Sequence, residues 1–311
     1  MRKFNLKGAA AQRMRGIPKE DPKQNEAVKP ALTAETICNA AFTEAQGIIQ
    51  YAWRSDVGRL RRNNQDAVIL GNGLAGIADG MGGHNGGEIA SAGLRDGLLR
   101  EIRESDPSEE KLAEAIRKVN LELWEQQEHD ASLSGMGTTL TAVWPSACRM
   151  IIAQVGDSRA YLYRDDELIQ VTYDHNMVAD MVRKGVLTEE QAACHPMRNY
   201  ITRAVGTDNA VEPDIISHDR KQGDLWLICS DGLHGMIGRT ELAGMLNPED
   251  IEETADRLLD AALENGGRDN ISFVLLRDDT VQQDKDTNPE RPAEMNHTDT
   301  EAQCAEGVTD L

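Results

Sequence analysis

Four aspartates follow apolar stretches of the chain at the points where those stretches give way to turns. Asp79 ends LAGIAD, Asp157 ends IIAQVGD, Asp231 ends LWLICSD, and Asp269 lies in the turn GGRDN. Converging carboxylates repel one another and raise each other's pKa unless a cation lies among them. Oxygen ligands completed by water are the ligands that Mg²⁺ and Mn²⁺ prefer. Asp-Gly is also a common turn, so it is the set of four that predicts a cation site.

A basic string precedes one of the predicted strands. SDVGRLRRNNQD contains Arg59, Arg61 and Arg62, and a guanidinium holds a phosphate group in a two-pronged fork. Taken alone, the string is equally a solvated basic turn. Beside a cation site, it becomes a candidate anchor for an anionic substrate.

The glycine-rich string GMGGHNGGE leads into a predicted helix. It lacks the Lys and Ser/Thr of a phosphate-binding Walker loop, so its glycines indicate close approach of the backbone to a site. Other hydrolytic chemistries are excluded by the sequence. No Cys is followed by Arg six residues later, and neither GxSxG nor HExxH occurs. Water activated by a metal ion is the chemistry that remains.

Short apolar runs and amphipathic segments must position these residues. Apolar spacing predicts helices over 87–103, from Ser108 onward and over 249–263. A capping box at Thr188 and Gln191 predicts a further short helix. Strands are predicted at 67–70, 74–78, 139–144, 150–155, 160–163, 225–229 and 271–276. They cluster into hairpin-like pairs, which favours antiparallel sheets covered by helices.

Taken in chain order, these strings resemble the bacterial PP2C-type (PPM) metal-dependent serine/threonine protein phosphatases. The strings that carry the resemblance are SDVGRLRRNNQD, GIADGMGGHNGGE, SGMGTTLTAV, AQVGDSRAYLYRDDEL, VTYDHN, NYITRAVG, LICSDGL and GGRDNISFVLL. The resemblance implies an α+β fold, a four-layer α-β-β-α sandwich of two antiparallel sheets flanked by helices. It places this domain over 48–277, with a helical flap over about 175–199.

The resemblance implies a ligand set for two Mn²⁺ or Mg²⁺ ions. Asp79 would bridge the two ions, the carbonyl of Gly80 would bind one, and Asp231 and Asp269 would complete the other. Asp157, together with Asp231, matches a third and weaker cation position. Asp66, Gln65 and Asn270 would act from the second shell around the ions, where Asp66 would orient water.

Three residues match catalytic positions of the family. Arg61 would hold the substrate phosphate and His84 would protonate the leaving serine or threonine oxygen, with His175 in the DHN string as the rival general acid. The resemblance implies direct attack by a water activated by two metal ions. The alternative function is that of a non-catalytic phosphoprotein-binding regulatory relative, although such a relative is expected to lose the metal aspartates.

The composition limits which binding partners and which cellular location are expected for the protein. The 311 residues include 53 acidic and 33 basic side chains, a net charge of −20 that repels nucleic acid. Five scattered cysteines favour a reducing compartment, and no apolar run is long enough for a membrane span. We expect a cytoplasmic monomer that acts on phosphorylated proteins, including a serine/threonine kinase, without binding nucleic acid.

Both ends of the chain differ in composition from the middle. Residues 1–47 are poor in core-forming side chains and are expected to be a largely flexible N-terminal extension. Residues 278–311 carry 10 acidic and 2 basic residues and are expected to form a disordered acidic tail. Such segments bury too little apolar surface to offset the entropy lost on ordering.

Gln65 stands where the family usually has Glu, so one negative charge is missing around the ions. We predict that Gln65→Glu lowers the Mn²⁺ concentration needed for half-maximal phosphatase activity, by roughly 10-fold on the scale of second-shell effects. Titration of activity against Mn²⁺ measures this. An unchanged Mn²⁺ requirement would contradict the prediction.

Overall fold

The structure is a computed structural model that describes residues 49–82 and 86–279. The predicted N-terminal extension over 1–47 and the predicted tail beyond residue 279 lie outside the described residues. No helix within the described ranges is both long and apolar enough to cross a membrane.

Two antiparallel sheets form the centre of the described region. The strands are β1 (Ile49–Asp56), β2 (Asp66–Gly71), β3 (Leu74–Met81), β4 (Gly137–Thr138), β5 (Leu140–Pro145), β6 (Arg149–Val155), β7 (Arg159–Arg164), β8 (Glu167–Gln170), β9 (Asp214–Asp219), β10 (Leu225–Cys229) and β11 (Ile271–Asp278). The first sheet has the strand order β1-β11-β10-β7-β8 and the second the order β2-β3-β5-β6-β9, with β4 paired to β3.

Helices cover the outer face of each sheet. The helices are α1 (Gly86–Glu101), α2 (Glu109–His129), α3 (Met177–Arg183), α4 (Glu189–Ala193), α5 (Asp231–His234), α6 (Arg239–Met245) and α7 (Ile251–Glu264). Side chains of α1 and α2 share a core with the second sheet, and those of α5, α6 and α7 share one with the first. A third core lies between the sheets. These three cores make four layers, which confirms the α-β-β-α prediction.

The inner strands are apolar on both faces because each face meets a different core. In β10, Leu225, Leu227 and Cys229 pack toward the helices, whereas Trp226 and Ile228 pack between the sheets. Successive strand side chains point to opposite faces, so a strand buried on both sides forms a continuous apolar run. This is why the sequence predicts these inner strands well.

Local capping rules correctly predict the starts of two helices and the end of a third. Ser108 precedes α2 and accepts a hydrogen bond from the Lys111 amide, 3.3 Å. Thr188 and Gln191 form the predicted capping box before α4, each side chain accepting from the other residue's amide. Gly185 follows α3 with a φ of 69°, a left-handed conformation that suits a glycine at a helix end.

The edge strands β1, β8 and β9 and the two-residue strand β4 are absent from the sequence prediction. Strand β1 lies at an edge of its sheet and pairs with β11, so its partner comes from the far end of the domain. Its residues are mostly half-buried rather than apolar and enclosed. An edge strand of mixed polarity lacks the strong pattern of a buried strand, and distant pairing leaves no local signal.

Asp278 corrects one boundary of the predicted acidic tail. It is the last residue of β11 rather than the first residue of the tail, and its side chain is fully buried. Arg220, whose side chain is 3% exposed, donates from Nε and Nη2 to the Asp278 carboxylate at 2.6 and 2.9 Å. Pairing with a guanidinium is what allows a charged residue to end a buried strand.

We predict that Asp278→Asn lowers the free energy of unfolding by about 3–5 kcal/mol, because it leaves the Arg220 charge buried without its counter-ion. The matched control is Asp256→Asn, which removes a 68% exposed partner of Arg54. Its expected cost is about 1 kcal/mol or less. Urea unfolding of the full chain measures both, and similar losses in the two variants would contradict the prediction.

Candidate active site

Strand pairing brings two of the predicted carboxylates together. Asp66, the first residue of β2, and Asp79, near the end of β3, are direct partners across the antiparallel pair. Side chains of directly paired residues lie on the same face of a sheet, a few ångströms apart. Two carboxylates in this arrangement repel one another, so the register itself concentrates negative charge.

The other three aspartates lie at one end of the two sheets. Asp157 follows β6 just before β7, Asp231 follows β10, and Asp269 precedes β11. Cys229 near the end of β10 pairs with Arg159 at the start of β7 and with Phe273 of β11, so these strand ends lie side by side. The aspartates predicted from separate strings are therefore neighbours in space.

Burial and mutual repulsion shift the titration of these groups. Burial raises the pKa of Asp79 well above its usual range, and the charges of the other aspartates raise it further. Burial likewise raises the pKa of Asp66 and of Asp157 to about 7, and that of Asp231 to about 6. Near neutral pH this end of the domain strongly favours a bound cation.

The surroundings of Asp66 test whether these residues suit a hard cation. Its Oδ2 accepts a hydrogen bond from the Ser230 hydroxyl at 2.9 Å, whereas its buried Oδ1 has no hydrogen-bond partner among the described residues. Within those residues, no three His, Cys, Asp or Glu side chains surround a single point. Carboxylate oxygens completed by water and backbone carbonyls suit Mg²⁺ or Mn²⁺, so the donor set fits such an ion.

Gly80 lies where backbone segments meet closely. Its amide donates to the Gln65 carbonyl at 3.1 Å, and the hydroxyl of Ser91 donates to the same oxygen at 2.6 Å. A Cβ atom on Gly80 would lie 2.1 Å from the Gly87 carbonyl oxygen and 2.6 Å from that of Gln65. The lack of a side chain at Gly80 is therefore required for these backbone segments to meet, whereas approach of the glycine string to a bound group stays a prediction.

Arg61 lies beside the carboxylates. Its Nη2 donates to Asp269 Oδ2 at 2.6 Å, and the charges of Asp79 and Asp231 help to raise the pKa of its guanidinium. The side chain is 51% exposed, so its remaining N–H groups face outward. A guanidinium held against the acidic cluster with donors directed to solvent is well placed to contact an anion.

Asn270 organises the loop that carries Arg61. Its Nδ2 donates to the carbonyls of Val57 and Asn63, both at 3.0 Å, and its Oδ1 accepts from the Gln65 amide at 2.9 Å. These bonds fix both ends of the loop beside β11. The side chain of Asn270 therefore acts on the loop backbone.

Sequence reasoning did not single out a group of hydroxyls that supports Asp79. The Asp79 amide donates to Thr139 Oγ1 at 3.0 Å, and the hydroxyl of Thr138 donates to the Asp79 carbonyl at 3.0 Å. Thr139 Oγ1 is in turn 2.7 Å from the hydroxyl of Ser158. Adjacent threonines directly before the mostly apolar strand β5 are a signal that could have revealed these residues.

Residues 60–275 match the family model of protein phosphatase 2C. This chain belongs to the protein phosphatase 2C family.

Curated relatives of this family member come from several bacteria. The serine/threonine protein phosphatase PstP of Mycobacterium tuberculosis is 40% identical over 231 residues, which cover 73% of this chain and 45% of PstP. The chain thus spans less than half the length of that relative. The serine/threonine phosphatase stp of Listeria monocytogenes is 35% identical over 246 residues, which cover 75% of this chain and 98% of stp.

Solved structures agree with the fold of this family member. A crystal structure of M. tuberculosis PstP is 39% identical and superposes with a TM-score of 0.70, covering 74% of this chain and 98% of that one. The catalytic domain of PstP in complex with two manganese ions is 37% identical, with a TM-score of 0.68 and coverage of 74% and 97%.

Of the two candidate general acids of this protein phosphatase 2C family member, only His175 lies within the described residues. His84 lies outside the described residues, so its role stays a prediction. His175 is buried, its Nδ1 accepts from the Gly156 amide at 3.2 Å, and its Nε2 is 3.0 Å from Asp214 Oδ2. Burial lowers the pKa of His175. With both ring nitrogens engaged, His175 is better suited to hold the flap base than to donate a proton to substrate.

The raised aspartate pKa values predict how pH affects the protein in chelator. The pKa values of Asp66 and Asp231 are higher in the folded than in the unfolded state. Such groups stabilise the folded state fully below about pH 4, and this stabilisation is lost as the pH rises through 6 to 7. Wild type in EDTA should therefore melt lower at pH 8 than at pH 5.5. Asp79→Asn in EDTA should melt higher than wild type at pH 8, by about 2–4 °C per kcal/mol of relieved repulsion.

Thermal melts in EDTA across this pH range provide the measurement. The matched control is Asp96→Asn, which removes a surface carboxylate paired with Arg95 and should follow the wild-type pH profile. Adding Mn²⁺ should raise the wild-type melting temperature most at pH 8. A melting temperature that is as pH-dependent in Asp79→Asn as in wild type would contradict the assignment of this dependence to the acidic cluster.

Proposed function

We propose that this protein is a metal-dependent serine/threonine protein phosphatase that hydrolyses phosphoserine and phosphothreonine in proteins. The observation that carries the proposal is the set of five aspartates at one end of the sandwich, three of them with a pKa raised to between about 6 and 7 and a fourth, Asp79, with a pKa raised well above its usual range. Arg61 beside this set supplies a contact for phosphate. Family membership supports the same reaction.

The carboxylates would hold two divalent cations, Mn²⁺ or Mg²⁺. Asp79 would bridge the two, the Gly80 carbonyl would bind one, and Asp231 with Asp269 would complete the other. Asp157, close enough to Asp231 for that charge to raise its pKa, would provide a third and weaker position. The relative crystallised with two manganese ions supports Mn²⁺ as the first ion to test. Bound cations of this kind supply Lewis acidity and make water nucleophilic at neutral pH.

The chain's own side chains would bind and orient the substrate and move the protons. Arg61 would contact the phosphate oxygens through its solvent-facing N–H groups, in addition to its bond with Asp269. Asp66 Oδ1, which is buried and has no hydrogen-bond partner among the described residues, would accept a hydrogen bond from the attacking water. His84 would donate a proton to the leaving serine or threonine oxygen. Negative charge that develops on the phosphate oxygens would be stabilised by groups already in place.

Several finer properties belong to the proposal. Phosphorylated proteins, including a serine/threonine kinase, are the proposed substrates, and the protein would act as a monomer in the cytoplasm. The helices α3 and α4 lie within the predicted flap, and α3 begins at Met177, close after His175, so this segment would contribute to the choice of substrate. The domain limits at 48 and near 277 also stay predictions, apart from the correction at Asp278.

A non-catalytic phosphoprotein-binding relative is the alternative function. Such a protein needs a phosphate contact such as Arg61 but has no need for buried carboxylates that repel one another. Here all five aspartates are present, and the amides and hydroxyls around Asp79 and Asp66 support them. The cost of burying these charges favours the catalytic function.

We predict that Asp231→Asn lowers kcat/KM on a phosphothreonine peptide by about 100-fold or more, because it removes a cation ligand and weakens stabilisation of transition-state charge. Hydrolysis of the peptide is measured with Mn²⁺ and with EDTA. Asp96→Asn serves as the control and should retain wild-type rates. Activity that survives both EDTA and Asp231→Asn would refute the proposed function, whereas tight peptide binding without hydrolysis would favour the alternative.

A further inference from the structure

Three serines connect the strands that meet beside Asp66, and two of them, Ser230 and Ser272, are fully buried. We call Ser55, Ser272 and Ser230 the serine ladder. Ser55 of β1 and Ser272 of β11 are direct strand partners, and their hydroxyl oxygens are 2.9 Å apart. Ser230 follows β10, its Oγ accepts from the Ser272 amide at 3.1 Å, and its hydroxyl donates to Asp66 Oδ2 at 2.9 Å. The serine ladder thus runs from the first sheet to the first residue of β2 in the second.

The direction of the last hydrogen bond follows from the chemistry of a hydroxyl. The amide of Ser272 can only donate, so it occupies a lone pair of Ser230 Oγ and leaves the single hydroxyl hydrogen for an acceptor. Two acceptors are within reach, the Asp66 carboxylate at 2.9 Å and the Ser272 carbonyl at 3.3 Å. The shorter bond, to a charged acceptor, is the stronger one.

This bond restrains the Asp66 carboxylate. Asp66 has one oxygen attached to Ser230 and the other, Oδ1, without a hydrogen-bond partner among the residues described. Rotation of the carboxylate would break the Ser230 bond and leave the hydroxyl only the longer contact with the Ser272 carbonyl, which is a weaker bond to an uncharged acceptor. Ser230 and Ser272 are both fully buried, so water cannot take over the role. The orientation of Oδ1 therefore depends on Ser230, and the side chain of Ser272 contributes directly as well, because burial raises the pKa of Asp66 and hydrogen bonds from both serines lower it.

We infer that Ser230 is a positioning residue that acts through Asp66 on cation binding, and that Ser272 holds Ser230 in place. This inference rests on the proposed function, because it concerns the same cation site. It differs from a purely structural role, in which loss of the Ser230 hydroxyl would affect stability and leave cation affinity unchanged.

The first test measures Mn²⁺ binding without turnover. Isothermal titration calorimetry, or the electron paramagnetic resonance signal of free Mn²⁺, gives the dissociation constants of the full-length protein. Ser230→Ala is expected to weaken Mn²⁺ binding by about 10-fold, the lower end of the range for groups that support metal ligands. The matched control is Thr254→Val in α7. It removes a fully buried hydroxyl that donates to the carbonyls of Asp250 and Asn247, and it should leave Mn²⁺ affinity unchanged.

A double-mutant cycle with Asp66→Asn tests the route of the effect. If Ser230 acts through Asp66, Ser230→Ala causes no further loss of Mn²⁺ affinity in the Asp66→Asn background. A full additional loss there would mean that the substitution acts on the adjacent Asp231, and would overturn the inference. Wild-type affinity in Ser230→Ala would also overturn it. Should Ser230→Ala fail to fold, Ser230→Cys keeps the side-chain size with a weaker donor and is expected to show a similar loss.

Failure of the inference and failure of the proposed function are distinguishable. The binding measurement uses Mn²⁺ alone, whereas the proposed function is tested by hydrolysis of the phosphothreonine peptide by wild type. Wild type that hydrolyses the peptide while Ser230→Ala binds Mn²⁺ normally would overturn only the role of Ser230. Wild type that binds Mn²⁺ and hydrolyses no phosphopeptide would overturn the proposed function, and the cycle would still report on Ser230.

Discussion

Repulsion among buried carboxylates is the constraint on which the active-site end of this protein depends. Asp66 and Asp79 are paired across β2 and β3, and Asp157, Asp231 and Asp269 extend from neighbouring strand ends. Burial makes the charges of Asp66, Asp79, Asp157 and Asp231 costly and neighbouring carboxylates add to that cost, so the protein gives up stability at neutral pH to maintain the cluster. A divalent cation removes this penalty, which couples folding stability to cation binding and cation binding to the proposed reaction.

The remainder of the fold holds the cluster in place against its own repulsion. Threonine hydroxyls bind the backbone of Asp79, and the serine ladder binds the side chain of Asp66. Asn270 fixes the loop that carries Arg61, so the guanidinium reaches the edge of the cluster. Each of these supports lies on a strand or directly beside one end of a strand. Rigid strands limit how far the carboxylates can move apart, and such preorganisation is what electrostatic catalysis requires.

The cluster also accounts for how an acidic protein would bind the proposed anionic substrate. A net charge of −20 repels a phosphorylated partner. Screening by salt largely removes that repulsion beyond about 8–10 Å, but the repulsion remains at shorter distances. Two divalent cations in the cluster would reverse the sign of the local field, and Arg61 adds a further positive charge. At the other end of β11, the buried Asp278 needs no cation, because Arg220 of the same protein neutralises its charge.

By itself, the sequence determined the inner strands, the helix caps, the fold family and the identity of the aspartates, since these depend on local patterns and short strings. It could not locate β1 or β9, whose pairing is distant and whose polarity is mixed, nor could it show that Asp278 belongs to the fold. The direct pairing of Asp66 with Asp79 and the contact between Ser230 and Asp66 were decided only by tertiary structure. Strand register and the meeting of two sheets join residues far apart in the chain, and no local pattern encodes such a distance.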